Sequence, residues 1–242
     1  MCNEIFQRTE LLLGGEVMKR LSSLKVIIFG VGGVGSWCAE GLVRTGIGSL
    51  TMVDPDVVCA SNINRQLPAL NSTVGKPKVG VMSRRLLDIN PSLDVTAVRM
   101  AYSAETADEF DLSAYDVVID AIDSLADKAL LILNSTKSGA RFYSSMGAAL
   151  KIHPSKIAVA EFWKVTGCPL AAALRRKFRK SGQFPASKFK CVYADEIVHN
   201  KGTEVDDDGA MRFGKVAVNG TFPTTVAIFG LTLANIVLVD IL

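Results

Sequence analysis

No Cys-x-x-Cys pair occurs among the five cysteines, at positions 2, 38, 59, 168 and 191, and their gaps are too wide for a zinc knuckle, so no zinc is expected. Their number is odd, and a reducing cytoplasm is the natural compartment. The opening residues Met1-Cys2-Asn3-Glu4-Ile5 lack the basic region and apolar stretch of a signal peptide, so export is not expected. A dominant charge is missing as well: 27 Lys and Arg against 24 Asp and Glu leave +3, so nucleic-acid binding would have to come from local clustering. The longest apolar run, Val226–Val239, is broken by Gly230, Thr232 and Asn235 and falls short of the roughly 20 residues that a spanning helix needs. Neither histidine, His153 or His199, has an acid–base partner nearby in sequence, and no internal repeat is found.

What is present suffices for a full core, since 49% of 242 residues are hydrophobic. Lys25–Gly30 is a short apolar run ending in glycines, and Leu50–Asp54 and Asp116–Ile122 repeat a pattern of apolar residues leading to an acid. These read as buried parallel strands, with Leu93–Arg99 and Arg141–Ser145 as two more. Helices are expected over Val34–Thr45 and Pro77–Asn90, giving an α/β fold with a doubly wound, Rossmann-like, mostly parallel sheet.

Residues 1–150 are expected to hold the nucleotide-binding unit with an N-terminal helical arm, and 151–242 a smaller α+β extension packed as one structural unit with it. The extension reads as strands Ile157–Trp163 and Phe189–Tyr193 around a basic helix, Leu170–Ser181, then a polar, acidic, mobile loop over Asn200–Arg212. The apolar end, Phe222–Leu242, is expected to pack under the sheet or across a dimer.

Gly30, Gly32 and Gly35, with Gly33 between them, fit G-x-G-x-x-G after a strand and before a helix, where backbone can approach phosphates and helix N–H groups are free. Asp54, 19 residues beyond Gly35 at the end of the next strand, is placed to accept from a ribose hydroxyl. NAD and ATP both fit these features. The balance moves with Asp54-Pro55-Asp56, Asn62-Ile63-Asn64-Arg65-Gln66 and Gly75-Lys76-Pro77-Lys78, which put two cations and an amide after the acid. A triphosphate attacked by a carboxylate needs fixed cations and a divalent metal. Arg65 and Lys78 supply the charge, and Asp123, beyond the strand that contains Asp120, suits Mg²⁺. Singly, each has a plainer reading: Asp54 could cap the turn after it, Arg65 and Lys78 could be solvated, and Asp120 could serve structure alone.

Together, GVGGVGS, the acid at 54, NINRQ, VGKPKV and DAID resemble the ubiquitin-activating-enzyme-like superfamily of adenylating enzymes over residues 8 to about 150. The resemblance implies Gly32, Asn62, Arg65 and Lys78 at the phosphates of ATP, Asp54 and Asp56 around the ribose, and Asp123 at the metal. It also implies a homodimer in which Arg8 reaches the partner's triphosphate; Ile5 stands where many members carry another arginine.

Relatives that activate the C-terminal glycine of sulfur-carrier or ubiquitin-like proteins usually carry two zinc-binding Cys-x-x-Cys pairs, which this chain lacks. Thr45-Gly46-Ile47-Gly48, Asp120-Ala121-Ile122-Asp123-Ser124 and Cys168-Pro169-Leu170-Ala171-Ala172 instead resemble the branch of bacterial tRNA threonylcarbamoyladenosine dehydratases. That branch implies a tRNA substrate whose threonylcarbamoyl carboxylate attacks ATP. The carbamoyl nitrogen then closes a five-membered ring, expelling AMP, with the advantage of intramolecularity.

No enzyme cysteine is needed for that scheme, so Cys168 and Cys191 stay off the catalytic list. Arg175, Arg176, Lys177, Arg179 and Lys180 form the notable basic cluster, which reads either as a solvated helix end or, given the resemblance, as a tRNA contact. Phe178, Phe184, Phe189 and Tyr193 lie among these charges and fit base stacking or core packing equally well. Two alternatives remain beside the tRNA reading: activation of a sulfur-carrier protein, and a nicotinamide-dependent dehydrogenase or an inactive nucleotide-binding module.

Overall fold

The computed structural model describes residues 4–202 and 219–242. In chain order they form α1 (Gln7–Leu13), α2 (Gly15–Ser23), β1 (Lys25–Phe29), α3 (Gly33–Thr45), β2 (Ser49–Val53), α4 (Lys78–Ile89), β3 (Asp94–Val98), β4 (Val117–Asp120), α5 (Leu125–Ser135), β5 (Arg141–Ser145), β6 (Ile157–Glu161), α6 (Pro169–Ser181), β7 (Lys190–Ala194) and α7 (Pro223–Val239). One seven-stranded sheet runs β3-β2-β1-β4-β5-β7-β6, parallel throughout except where β6 joins β7 antiparallel. This is the α/β, mostly parallel arrangement expected from the sequence. Of the polar segment expected as a loop, residues 203–212 lie outside the described residues.

Both faces of the sheet are covered, which explains why its central strands read as unbroken apolar runs rather than alternating ones. Val26 and Ile28 join a core with α3, α4 and α7, while Ile27 and Phe29 point the other way into a core with α5 and α6. Among the described residues, no helix is long and apolar enough to cross a membrane.

Two strands end earlier than the apolar pattern suggests, for the same physical reason. Asp120 Oδ1 accepts the N–H of Ile122 at 3.0 Å, curling the chain out of the sheet before Ile122. Glu161 Oε2 accepts the N–H of Trp163 at 3.1 Å and starts a 3₁₀ turn over Phe162–Lys164. A side-chain carboxylate two residues back satisfies the amide that would otherwise extend the ladder.

The apolar C-terminal run becomes α7, laid along α3 on one face of the sheet. A Cβ on Gly230 would lie 2.4 Å from the carbonyl oxygen of Val34 and 2.6 Å from Cβ of Trp37, so the helices cross at backbone distance. The far end of α7 is fixed by Asp240, which accepts from Tyr143 Oη at 3.0 Å and Lys190 Nζ at 2.5 Å, while its carbonyl accepts from Arg141 at 2.9 Å. Glu40 on α3 meanwhile binds Arg44 at 2.8 Å and Arg85 of α4 at 2.5 Å. Burial works to raise the Glu40 carboxyl, but the two guanidinium groups outweigh it and hold it below the ordinary range.

Because no rotamer avoids backbone at Gly230, Gly230→Val is expected to cost about 3 kcal/mol by overpacking. Denaturant unfolding checks this; wild-type stability in that variant would mean that α3 and α7 do not meet as described.

Candidate functional site

β1 delivers the chain to a left-handed turn at Gly30, where φ is +91° and the N–H donates to Val53 O at 2.8 Å. The turn has no spare room on its inner side. A Cβ on Gly30 would sit 2.7 Å from Ala121 O, and one on Gly35 only 1.8 Å from Gly30 O, so both positions require glycine. Gly32 differs: a Cβ there would meet only Gln66 Nε2, at 3.7 Å. Packing does not demand glycine at 32, and the space above it faces the free N–H groups that open α3.

Asp54, 5% exposed, ties the second strand to this turn by accepting from Val31 N at 2.6 Å and Asp56 N at 2.9 Å. It therefore does cap the turn that follows it. A carboxylate has about four acceptor sites, so two hydrogen bonds leave capacity for a ligand hydroxyl. Burial pushes the Asp54 carboxyl up, against the pull of Lys78 and the two amides. Lys78 is not solvated: at the start of α4 and 5% exposed, it places Nζ 2.7 Å from Asp56 Oδ2.

The connection from Asp56 to Lys78 folds over the start of α3. Asn62 is buried and accepts from Cys59 N at 3.1 Å, which closes the turn preceding Arg65. Arg65 Nη1 donates to Ser61 O and Asn64 Oδ1, each at 2.8 Å, and its carbonyl accepts from Trp37 Nε1 at 3.3 Å. Its Cγ would lie 3.6 Å from a Cβ on Gly33, so this cation flanks the glycine turn. Asp123 is exposed, two residues beyond the Ala121 carbonyl that abuts Gly30.

The structure thus gathers Gly30, Gly32, Gly33, Gly35, Asp54, Asp56, Asn62, Arg65, Lys78 and Asp123 at the carboxyl ends of β1, β2 and β4, where open α/β sheets bind ligands. Arg8 is not brought there. It is exposed on α1, beside Phe6, whose ring approaches Gly46 at the opposite end of α3. At 1.5 Å per residue that end is about 20 Å along the helix from Gly33.

Sequence reading missed Lys128. It is fully buried with Asp120, Nζ 2.8 Å from Oδ2, and donates to Ile122 O at 2.9 Å. Ser144 Oγ completes the set at 2.7 Å from Asp120 Oδ2. Burial raises the Asp120 carboxyl, opposed by Lys128, Ser144 and the Ile122 amide. These bonds shape the 121–123 segment, so the structural reading of Asp120 is the one observed. The signal in the sequence was a single lysine heading the apolar run Ala129–Leu133. The same buried surroundings push the Cys191 thiol well up, which suits packing and not nucleophilic attack.

The basic cluster divides. Arg175 turns inward, donating to Phe162 O at 3.0 Å and Val165 O at 2.8 Å. Arg176, Lys177, Arg179 and Lys180 are exposed. Of the interleaved aromatics, Phe178 and Phe189 are buried and Tyr193 is half-buried, whereas Phe184 is 51% exposed and lies 6.1 Å from the exposed Trp163 ring. The Arg179 guanidinium stands 5.9 Å from the Trp163 centroid.

The ThiF family model matches residues 6–241. The chain is 39% identical to tRNA threonylcarbamoyladenosine dehydratase of Bacillus subtilis (strain 168), over 98% of this chain and 94% of that one. Among solved structures, the E. coli tRNA N6-threonylcarbamoyladenosine dehydratase in complex with AMP superposes with a TM-score of 0.85 at 32% identity, covering 98% of this chain and 94% of that one. The complex of the same E. coli enzyme with ATP gives a TM-score of 0.85 at 31% identity, covering 98% and 93%. A sulfur carrier protein adenylyltransferase of Thermus thermophilus is 33% identical, but over only 59% of this chain and 55% of that one.

Removing one member of a buried ion pair strands the other, so Lys128→Met is expected to cost about 3–5 kcal/mol in chemical denaturation, and Asp120→Leu/Lys128→Met much less. A single variant as stable as wild type would show that the pair does not organise this loop.

Proposed function

The chain belongs to the ThiF family, and from that premise we propose that it uses ATP to adenylate the carboxylate of threonylcarbamoyladenosine in tRNA and cyclises the product to the hydantoin form. The observation that carries the reading is the convergence of Arg65 and Lys78 on the glycine turn, in a chain similar to a B. subtilis dehydratase over 98% of its length. Activation of a sulfur-carrier protein has weaker support, because similarity to such an adenylyltransferase spans 59% of the chain. The nicotinamide-dependent alternative has no use for the two cations and is set aside by the family.

In this reading the N–H groups of α3, Gly32, Asn62, Arg65 and Lys78 bind and orient the triphosphate, and Asp54 with Asp56 takes the ribose. Mg²⁺ is compatible with the exposed Asp123 carboxylate, since that ion is commonly held by one carboxylate plus substrate phosphates, and it would supply further charge neutralisation. The carboxylate attacks the α-phosphorus and releases pyrophosphate. The neighbouring carbamoyl nitrogen then displaces AMP and loses its proton, a ring closure favoured by proximity. The enzyme would work in the cytoplasm, where its tRNA is.

A homodimer suits two features of the arm. Arg8 lies far from its own chain's glycine turn, and the adjoining Leu11 and Leu12 are 81% and 82% exposed on α1, apolar surface that a second copy would cover. The tRNA would meet α6 through Arg176, Lys177, Arg179 and Lys180, with Trp163 and Phe184 offering stacking faces.

ATP is expected to yield AMP and pyrophosphate only when tRNA carrying threonylcarbamoyladenosine is added, and Arg65→Ala or Asp123→Ala to abolish the reaction while the circular dichroism spectrum is kept. Wild-type rates in either variant would sink the assignment. Arg8→Ala should be equally inactive, yet mixing it with Asp123→Ala subunits should recover part of the activity; no recovery would reject a shared site.

Charge reversal at Arg176, Lys177 and Lys180 is expected to weaken tRNA binding and flatten its salt dependence, with the log–log slope falling by about 0.7–0.9 for each phosphate no longer neutralised. ATP affinity should hold in the same protein. Unchanged tRNA binding would return α6 to a solvated helix face.

A further inference from the structure

Gln66 brings a carboxamide to the glycine turn and leaves one end of it unused by the protein. The residue is 8% exposed, and its Oε1 is sealed from solvent with no hydrogen-bond partner among the described residues. A buried acceptor in that condition is costly, and native chains seldom leave one without a reason. The other two carboxamides buried to this degree among the described residues close local turns instead. Asn62 Oδ1 accepts from Cys59 N and Asn90 Oδ1 from Ser92 N, each at 3.1 Å.

The chain on both sides of Gln66 is tied to the start of α3. Arg65 O accepts from Trp37 Nε1 at 3.3 Å, Leu67 N donates to Ser36 Oγ at 3.3 Å, and Gln66 N itself donates to Asn62 O at 3.0 Å. This backbone carries the side chain to Gly32, where Nε2 lies 3.7 Å from the position a Cβ would take. Gly32 has a φ of −80°, outside the left-handed region that favours glycine. Neither a positive φ nor crowding accounts for the missing side chain at 32. The room it leaves is bordered by the Gln66 amide nitrogen and by the N–H groups that open α3.

We propose that Gln66 is a further nucleotide-binding residue, whose Nε2 donates to the α-phosphate that lies over Gly32. The inference rests on the adenylation reading above and adds to it a neutral donor at the phosphorus under attack. Asp54 Oδ2 accepts from Val31 N, so a ribose held by Asp54 is one residue away from Gly32, and the phosphate next to a ribose is the α-phosphate. The carboxamide nitrogen carries two N–H donors, and turned over it would present an acceptor that an anion repels. Its orientation gives up a partner for Oε1 and keeps the donor end toward the turn. Oxygens of the α-phosphate gain charge as the carboxylate attacks, and a donor already in place stabilises that charge without reorganising.

The test uses Gln66→Met and Gln66→Glu in the full-length protein at pH 8. Without ligand, Gln66→Met is expected to melt no lower than wild type, because the oxygen it removes has no partner to lose; a lower melting temperature would show that the carboxamide serves the fold and overturn the proposal. In calorimetry, Gln66→Met should bind ATP and AMP each roughly 10- to 100-fold more weakly than wild type, the scale of one hydrogen bond to a charged group. Gln66→Glu should bind both more weakly still, since it sets a carboxylate against the phosphate. That extra deficit is expected to shrink as salt is raised, because screening weakens the repulsion.

A purely structural role would give the two variants equal deficits at every salt concentration, and that result would overturn the contact. A loss confined to ATP would place Gln66 at the β- or γ-phosphate and overturn the α-phosphate assignment. If both variants bind ATP and AMP as wild type does, the proposal fails while the adenylation reading stands. If wild type itself binds no ATP, that reading fails and the role of Gln66 with it.

Discussion

The architecture depends on backbone meeting backbone at the glycine turn. Gly30 presses on the Ala121 carbonyl, Gly35 on the Gly30 carbonyl and Gly230 on the Val34 carbonyl, while Gly33 makes room for the Val226 side chain, so four chain segments converge where a further Cβ would not fit. Interiors are packed too densely for such contacts to yield by even one methyl group. The start of α3, the segment carrying Asp123, and the start of α7 are consequently fixed relative to one another before any ligand arrives. A phosphate site built from N–H groups needs that fixity, because hydrogen bonds lose their value when donors drift.

Carboxylates at strand ends perform a second, repeated task. Asp54, Asp120 and Glu161 each accept the amide two residues further on, and each turns the chain out of the sheet at that point. The geometry is shared, but the surroundings assign different work. Asp54 also reaches Val31 and feels the charge of Lys78, so it ties the second strand to the glycine turn. Asp120 is sealed with Lys128 and Ser144 and supports the loop that bears Asp123. Glu161 opens the turn on which Phe162 and Trp163 stand against α6. One local motif thus stands behind the cleft, its supporting loop and the exposed aromatic face.

Cations divide along the same lines. Lys128 and Arg175 are absorbed by backbone carbonyls and a buried acid, and are structural in their contacts. Arg65 flanks the glycine turn and Lys78 pairs with Asp56 beside it, while Arg176, Lys177 and Lys180 face solvent on α6.

Local pattern alone determined the strands, because buried parallel strands are continuous apolar runs, and it located the nucleotide turn, because only glycine tolerates those contacts. It also assembled the cleft's cations, which fall within 25 residues of Asp54 and need no knowledge of distant packing. Tertiary structure decided what depends on long-range proximity. Pairing of Lys128 with Asp120 across the β4–α5 connection, of His153 with Glu196, and of Arg175 with two carbonyls cannot be read from spacing, since each joins segments that only the fold brings together. The ends of β4 and β6 were misjudged because apolar residues continue past the point where a carboxylate has already taken the next amide. Composition records a lysine; only the packed chain decides whether its charge is solvated or neutralised by a buried partner.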